Sequence, residues 1–492
     1  MNGKKLSALL CAAVLVFSAA GCGKGGNEAL PESSQIADEE ESQVENMQDG
    51  ELPIQEAEGG LDEGTPVTLT VYGPSIFSSS GETGAVNPVT GNTTQGYQVV
   101  VERWEELHPN VTLNIEGIGW SDWRAAIQAA VLGGGVDIIC HGGLLPVLCE
   151  PLDSYIEKDP DFLELLYSIP KYNTDEMEGS TLDNPRITSI PNIVNPGFMI
   201  LDKKIFDDYG VPLPDADWTW SDVVSLAGQL TGTDPVTGEN TYGFLLPNTG
   251  GTGMIKNHLI IASAYDAGII SYGSTAKEST VNFQTESVTK VYRTINDLAQ
   301  YCSPDNVEGV EGNLVIRSEN NVAMSWTENF LRDLQTAKEL GEEERFVFLP
   351  LPVIEEGQFK GCPSLYLGDN NFAISKDSEN KEWAWEFIKF MLTDDVAIAY
   401  MIDNGGIVNT VQGMEILKQQ IGENDALLQQ VLEQLPSDYN STTNTYYDNV
   451  NFGAMGSYLS SELREMIKGS ISVEQAVDNT QKAVDEYFAT LE

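Results

Sequence analysis

Two hydrophobic spacings alternate over residues 65–140, and this alternation limits the folds that the chain can adopt. Residues 67–71 carry apolar side chains at every second position, which is typical of a β-strand. Residues 97–107 carry them three or four positions apart, which is typical of an amphipathic helix. The pattern then repeats and ends in a short apolar strand at 136–140. Strands that alternate with helices pair in parallel through right-handed crossovers, so we expect an α/β fold with a mostly parallel sheet.

The charge of the chain excludes several classes of partner. Its 75 acidic side chains outnumber 26 basic ones, which gives a formal net charge of −49. Such a surface repels nucleic acid and anionic lipid headgroups, so we expect no nucleic-acid partner. It also disfavours an anionic ligand unless Lys and Arg are concentrated in one cleft. Three histidines and the lack of a Cys-x-x-Cys spacing disfavour a zinc site, and we expect no metal and no cofactor.

The start of the chain resembles an export signal that ends in a lipid attachment site. Lys4 and Lys5 precede an apolar run at 6–20, which is too short for a spanning helix of about 20 residues. Small residues then lead to Cys22, as in bacterial lipoproteins, although such signals usually carry Leu where this chain has Ala19. We expect lipidated Cys22 to anchor the mature protein at the extracellular face of the bacterial cell membrane. The alternative is an ordinary signal peptide with an incidental cysteine.

Residues 27–64 have the composition of a disordered tether. They hold 13 Asp or Glu and no Lys or Arg. Low hydrophobicity with high net charge cannot offset the entropy cost of ordering, and repulsion between like charges extends the chain. We therefore expect an acidic stalk between the lipid and the folded body.

The folded body contains four further cysteines, which are Cys140, Cys149, Cys302 and Cys362. A disulfide is permitted in an exported protein, and Cys140 and Cys149 are close enough in sequence to form one. Buried thiols are the alternative that we favour, because cysteine packs well in apolar cores.

Short motifs along residues 66–490 carry a resemblance to a known family. No single motif identifies the family, but the motifs occur in order behind the export signal. Together they resemble the extracellular solute-binding proteins of bacterial ABC importers, in the carbohydrate-type group that includes maltose-binding protein. The motifs are 129–138, 152–156, 202–206 with Gly210 and 218–222, 322–324, 372–375 and 384–391.

The resemblance implies a two-lobed α/β fold of the type II periplasmic-binding-protein kind, with a hinge and a ligand cleft between the lobes. A site between two lobes allows the bound ligand to drive hinge closure. The expected division is 1–21 for the signal peptide, 22–64 for Cys22 and the tether, 65–190 plus 366–410 for the N-terminal lobe, and 191–365 plus 411–492 for the C-terminal lobe.

The same resemblance implies that the protein captures a carbohydrate, such as a neutral sugar or oligosaccharide, and delivers it to the transmembrane subunits of an ABC permease. It implies a monomer without catalytic residues. One alternative is a surface lipoprotein of the same fold that binds another solute or acts as a sensor. Another is a glycoside hydrolase, which would use two of the many carboxylates.

Candidate ligand contacts lie at the ends of predicted strands. A sugar needs planar side chains for its C–H faces and Asp, Glu, Asn or Gln for its hydroxyls. The family pattern places His141 where an aromatic often faces the sugar, and it places Phe330 at the sugar-stacking position. The full expected set is Tyr72, Ser75, Trp120, His141, Trp326, Glu328, Asn329, Phe330, Asp369, Asn370, Asn451 and Phe452.

Structural roles stay open for several of these residues. His141 can be an exposed loop histidine, and Trp120 and Trp326 can be core residues. Glu328 and Asn329 can cap the helix that follows them. The loop at 73–96 is unusually long for a compact domain, which makes it a candidate lid over the ligand.

Overall fold

The computed structural model describes most of the chain after the tether. The described residues are 61, 64–74, 77, 96–119, 123–141, 145, 148–166, 187–250, 253–271, 280–310, 315–357, 360–361, 367–421 and 452–489. They belong to one compact unit, Gly59–Glu492. Cys22, most of the acidic tether and most of loop 73–96 lie outside the described residues.

Helices and strands alternate along the described ranges. The strands are β1 (Val67–Gly73), β2 (Val111–Gly117), β3 (Ile138–Cys140), β4 (Ile190–Pro196), β5 (Phe198–Asp202), β6 (Gly232–Thr233), β7 (Asn240–Leu245), β8 (Ile270–Ser271), β9 (Thr280–Val281), β10 (Val322–Thr327), β11 (Phe346–Pro350), β12 (Leu367–Ile374) and β13 (Ile407–Val408). The helices are α1 (Gln98–Leu107), α2 (Trp123–Gly133), α3 (Asp153–Lys158), α4 (Lys203–Tyr209), α5 (Trp220–Gln229), α6 (Met254–Ala262), α7 (Glu286–Ala299), α8 (Pro304–Glu308), α9 (Phe330–Leu340), α10 (Lys381–Thr393), α11 (Asp395–Asp403), α12 (Val411–Ile421), α13 (Phe452–Ile467) and α14 (Val473–Phe488).

The first sheet has six strands in the order β13-β4-β12-β3-β1-β2. β1 pairs in parallel with both β2 and β3, which confirms the expected parallel core of this sheet. β12 pairs antiparallel with β3 on one side and with β4 on the other. It follows that β4 runs in the same direction as β1, β2 and β3, and that β12 runs against all four.

The second sheet has five strands in the order β11-β5-β10-β7-β6. β10 is parallel to β7 and antiparallel to β5, which also pairs antiparallel with β11. β10 is buried along its whole length, as expected for a central strand covered on both faces.

Helices cover both sheets and supply much of the core. Beside the first sheet, the indole of Trp104 in α1 packs edge-on against Phe387 and Phe390 of α10, with ring centroids 5.5 and 5.3 Å apart. Beside the second sheet, α6, α7, α13 and α14 pack against one another. The buried side chains of α9 belong to the same apolar cluster as those of the first sheet, so the two halves share part of one core.

The chain passes from the first sheet to the second through a single residue. β4 ends at Pro196 and β5 begins at Phe198, which leaves only Gly197 between them. The expected boundary at 190/191 therefore falls within the first sheet, because β4 pairs with β12 and β13. Likewise the expected boundary at 410/411 assigns α12 to the C-terminal lobe. In the structure, α12 packs against α10, α11 and β13, and β13 belongs to the first sheet. The full division into lobes stays a prediction.

The cysteines in the described residues are buried thiols. Cys140, Cys149 and Cys302 are each at most 7% exposed, and Cys140 and Cys149 are not joined to each other. This confirms the favoured alternative for those three, while Cys362 lies outside the described residues. Burial raises the pKa of Cys149 to about 12, so its thiolate is scarce near neutral pH.

We also searched the described ranges for a membrane span. None of their helices combines the length and the apolar character that crossing a bilayer requires.

Candidate functional site

The carboxyl ends of the strands of both sheets meet around the link at Gly197. In the first sheet, β4 ends at Pro196 on the same edge as β1 and β3, because all three run in one direction. In the second sheet, β5 begins at Phe198, which pairs with Thr327 at the end of β10. A one-residue link therefore joins the two carboxyl edges, which must lie close together there. Open α/β sheets bind ligands beyond such edges.

His141 marks the edge of the first sheet directly after β3. Its backbone N–H donates to the carbonyl of Asn371 over 2.7 Å, and its side chain lies near that of Asn370. The ring meets Trp123 edge-on, with centroids 5.1 Å apart. His141 adopts a left-handed backbone conformation with φ of 66°, which is uncommon for a residue other than glycine and occurs often at functional sites.

The imidazole of His141 is neutral over the physiological range. The residue is partly exposed as a whole, but its Nδ1 atom is buried. Burial, together with the positive charges of Arg124 and Lys256, lowers the pKa of His141 to about 3, and the side chain of Asn370 opposes this shift. A neutral imidazole has one donor and one acceptor, which suits recognition of hydroxyl groups.

Lys256, Asn257 and Glu328 lie at the edge of the second sheet. Glu328 follows β10 directly and forms an ion pair with Lys256 of α6. The neighbouring Asn257 is fully buried, accepts a hydrogen bond from the indole Nε1 of Trp326 over 2.8 Å and donates to the carbonyl of Pro247 over 2.6 Å. Asn257 thus fixes the end of β10 relative to α6, and with it the position of Glu328.

The effect of Lys256 on the pKa of His141 connects the two edges. Lys256 belongs to the helix that follows β7, whereas His141 follows β3 of the other sheet. A charge acts appreciably on another group only over short distances or through a poorly solvated space. The two side chains therefore lie close enough to interact, although they belong to the ends of different sheets.

Comparison with known proteins assigns the family. The sequence model described as "Bacterial extracellular solute-binding protein" matches residues 90–398, which is more than half of the chain. The chain belongs to the bacterial extracellular solute-binding proteins. This membership confirms the resemblance that the sequence motifs indicate.

Solved structures of other solute-binding proteins share the fold. The ABC substrate-binding protein of Listeria monocytogenes in complex with cycloalternan has 19% identity and a TM-score of 0.61, over 86% of this chain and 99% of that chain. A solute-binding protein from Agrobacterium vitis with bound D-mannitol has 17% identity and a TM-score of 0.62, over 86% and 99%. The sugar-binding protein MalE from Xanthomonas citri has 15% identity and a TM-score of 0.62, over 86% and 98%. These likenesses confirm the two-lobed α/β fold with a hinge and a cleft between the lobes.

Within this solute-binding fold, the structure places three of the expected site residues at the ends of strands near the link between the sheets, and their contact with a ligand stays a prediction. His141 and Asn370 lie together at the first edge, and Glu328 lies at the second. Asn329 is exposed beside Glu328, where its backbone N–H donates to the hydroxyl of Thr327 over 2.9 Å. Tyr72 is half-buried near the end of β1 and packs against the apolar residues of α2 and β3.

Two expected aromatic contacts lie in the core instead. Phe330 is 2% exposed, with its ring centroid 4.7 Å from that of Phe198 and 5.3 Å from that of Phe348. Trp326 is 3% exposed, and its indole N–H donates a hydrogen bond to the side-chain oxygen of Asn257. We therefore assign Phe330 and Trp326 to packing rather than to ligand contact.

The remaining expected residues stay predictions. Ser75, Trp120 and Asn451 lie outside the described residues, as do the side chains of Asp369 and Phe452.

Sequence reasoning missed Trp123, Arg124, Lys256 and Asn257. Trp123 and Arg124 open α2, where a tryptophan at helical spacing indicates only a core face. Lys256 ends the stretch 248–256, which has no readable motif, and Asn257 follows it directly. The one available signal was the rarity of basic residues in this chain, because it makes each Lys or Arg near a strand end a candidate site residue.

Proposed function

We propose that this protein captures a carbohydrate between its two lobes and delivers it to the permease of an ABC importer. One observation carries the proposal: the carboxyl edges of the two sheets face each other across the one-residue link at Gly197, with polar side chains on both. The ligands named for the similar structures, cycloalternan and D-mannitol among them, support a carbohydrate or polyol.

The polar groups at the two edges suit the chemistry of a sugar. His141 and Asn370 offer neutral donors and acceptors at the first edge, while Lys256 and Glu328 offer charged ones at the second. The exposed aromatic surface beside His141 comes from Trp123, which is half-buried. A ligand that bridges these groups would favour the closed arrangement of the lobes. It can contact both edges at once only when the cleft is closed.

Anchoring and delivery complete the proposed role. Lipidated Cys22 and the acidic tether would hold the solute-binding body near the membrane, and so raise its effective concentration at the permease. The export signal and the small residues before Cys22 support this placement at the extracellular face of the cell membrane. We propose that no catalysis takes place, in keeping with a family defined by solute binding.

A panel of sugars tests the proposal against its alternatives. The mature protein is titrated by calorimetry with maltose, mannitol, tagatose and longer oligosaccharides, and the same mixtures are analysed for products. Saturable binding without cleavage is the expected result. Cleavage of any sugar would instead make the protein a glycoside hydrolase, and binding of only non-carbohydrate solutes would favour the sensor or scavenger alternative.

A further inference from the structure

One buried amide connects three segments at the edge of the second sheet. The side chain of Asn257, near the start of α6, is fully buried. Its Oδ1 accepts a hydrogen bond from the indole Nε1 of Trp326 over 2.8 Å, and its Nδ2 donates to the carbonyl of Pro247 over 2.6 Å. An indole can only donate and a carbonyl can only accept, so these two partners fix the orientation of the amide.

The three segments are the exits of two neighbouring strands and the helix that carries Lys256. Pro247 follows β7, and Trp326 lies next to the last residue of β10. A second buried hydrogen bond joins the same two strands, because the hydroxyl of Ser325 donates to the carbonyl of Leu245 over 2.9 Å. The exits of β7 and β10 are thus held side by side, and the amide attaches α6 to both.

The position of Glu328 depends on this connection. Glu328 follows β10 directly, and its side chain pairs with that of Lys256, the residue before Asn257. The backbone N–H of Asn329 donates to the hydroxyl of Thr327 over 2.9 Å, which closes a short turn around Glu328. The side chain of Glu328 is 16% exposed, so it offers a ligand hydroxyl a narrow approach that a small displacement would remove.

We propose that Asn257 is a positioning residue for solute binding, which acts on the ligand through Glu328 and does not touch it. The inference rests on the proposed function, in which Glu328 contacts the captured carbohydrate. It adds that the core behind the sheet edge sets how tightly this carboxylate holds the ligand. A group that is already fixed in its binding position strengthens binding, because less of the site has to be ordered when the ligand arrives.

Asn257→Leu removes the amide and keeps a side chain of similar size. The mature parent and the variant are titrated by calorimetry with the tightest-binding sugar of the panel. Affinity should fall by about tenfold, the loss expected when one hydrogen bond to a charged group is misplaced. The melting temperature should fall as well, because the indole of Trp326 and the carbonyl of Pro247 each lose a buried partner.

Gln481→Leu is the matched control for the loss of stability. Gln481 is also buried, accepts a hydrogen bond from the backbone N–H of Phe283 over 2.6 Å and donates to the carbonyl of Val281 over 3.1 Å. Val281 belongs to β9, which pairs with β8 in a separate two-stranded sheet. This variant should melt at a lower temperature than the parent and bind the sugar with an unchanged dissociation constant.

A double-mutant cycle shows whether Asn257 acts through Glu328. In a Glu328→Ala background the ligand has already lost the carboxylate, so the addition of Asn257→Leu should cost no further affinity. The fall in melting temperature should remain in that background. A purely structural role would instead give the same loss of affinity in both backgrounds, because independent effects add.

Trp326→Phe breaks the same hydrogen bond from the other side and keeps a planar ring in the core. It provides the test if Asn257→Leu does not fold. Affinity should fall in the parent background, by less than in Asn257→Leu because the bond to Pro247 remains, and it should not fall further in the Glu328→Ala background.

The outcomes separate this inference from the proposed function. Unchanged affinity in Asn257→Leu overturns the inference, as does unchanged affinity in Glu328→Ala. Equal losses of affinity in the two backgrounds, or an equal loss in Gln481→Leu, also overturn it. In each of these cases the sugar-binding function stands. Failure of the parent protein to bind any sugar of the panel contradicts the proposed function itself.

Discussion

Phe330 and His141 each follow an apolar strand, yet their surroundings give them different roles. His141 stands at the cleft beside Asn370, whereas Phe330 packs between Phe198 and Phe348. Burial decides the difference, because a ring that is only 2% exposed has no free face on which a sugar could stack. The aromatic position of the family pattern therefore belongs to the core beside the hinge in this chain.

Replacing Phe330 by Ala should destabilise the protein strongly. The lost burial and the resulting cavity cost about 3–5 kcal/mol for a core phenylalanine. Urea unfolding of the variant and the parent measures the change. An unchanged free energy of unfolding together with weaker sugar binding would return Phe330 to the ligand site.

His258 should make the second lobe sensitive to acid. It is fully buried in α6, and burial lowers its pKa to about 3. The folded state keeps His258 neutral, whereas the unfolded chain protonates it near pH 6.5. The stability that the neutral form contributes is therefore fully present above pH 6.5, and it is lost as the pH falls toward 3. Between pH 7.5 and pH 5 this single group should cost about 2 kcal/mol.

The variant His258→Leu isolates that effect. Neither ring nitrogen of His258 has a hydrogen-bond partner among the described residues, so an apolar side chain of similar size should be tolerated. Unfolding at the two pH values should show a smaller loss of stability for the variant than for the parent. The same loss in both proteins would show that His258 is protonated in the folded state.

At the scale of elements, Asp202 joins three segments of the second sheet. It ends β5, caps α4 through the backbone N–H of Lys204 over 3.1 Å, and is fully buried. The guanidinium of Arg345, at the start of β11, donates to both carboxylate oxygens, with its shortest contact at 2.8 Å. Asn320, just before β10, donates to the same carboxylate over 2.9 Å.

Asp202→Asn should unfold the second sheet more readily. The substitution removes the buried carboxylate charge that pairs with the largely buried guanidinium of Arg345, which is then left with the longer ion-pair contact to Glu342 at 3.6 Å. Breaking a buried ion pair costs about 3–5 kcal/mol. Asp207→Asn is the matched control, since Asp207 pairs with Lys203 on the exposed face of the same helix and should cost less than about 1 kcal/mol. Thermal unfolding compares the two, and equal losses would contradict the role given to the buried pair.

Local elements of this fold follow from local sequence, and their partners do not. Alternating and helical spacings predict β1 and α1 to within two residues, and Thr219 with Asp222 predicts the capping box that opens α5. The sequence cannot indicate that Asp202 meets Arg345, because 143 residues separate them. Nor can it place β4 in the first sheet, since that depends on pairing with β12 and β13. Lys256 was missed for the same reason, because its role depends on the sheet opposite.

At the scale of the whole molecule, the proposed lipid anchor at Cys22 would determine where the protein operates. Cys22→Ser removes the proposed lipid attachment, so the full chain should move from the membrane fraction to the soluble fraction of the producing cells. Its sugar affinity should stay the same, because the cleft is formed by the body from Gly59 onward. Fractionation with immunoblotting measures the shift, and retention in membranes would count against the anchor.

Capture of a solute between the two sheet edges is the central claim, and the affinity of one cleft variant tests it most directly. His141→Asn keeps a residue that tolerates the left-handed backbone but removes the imidazole at the edge of the first sheet. Calorimetry with the tightest-binding sugar of the panel should show affinity reduced by about tenfold, from one lost hydrogen bond in a desolvated site, with unchanged melting temperature. An unchanged dissociation constant would contradict the cleft as the place where the solute binds.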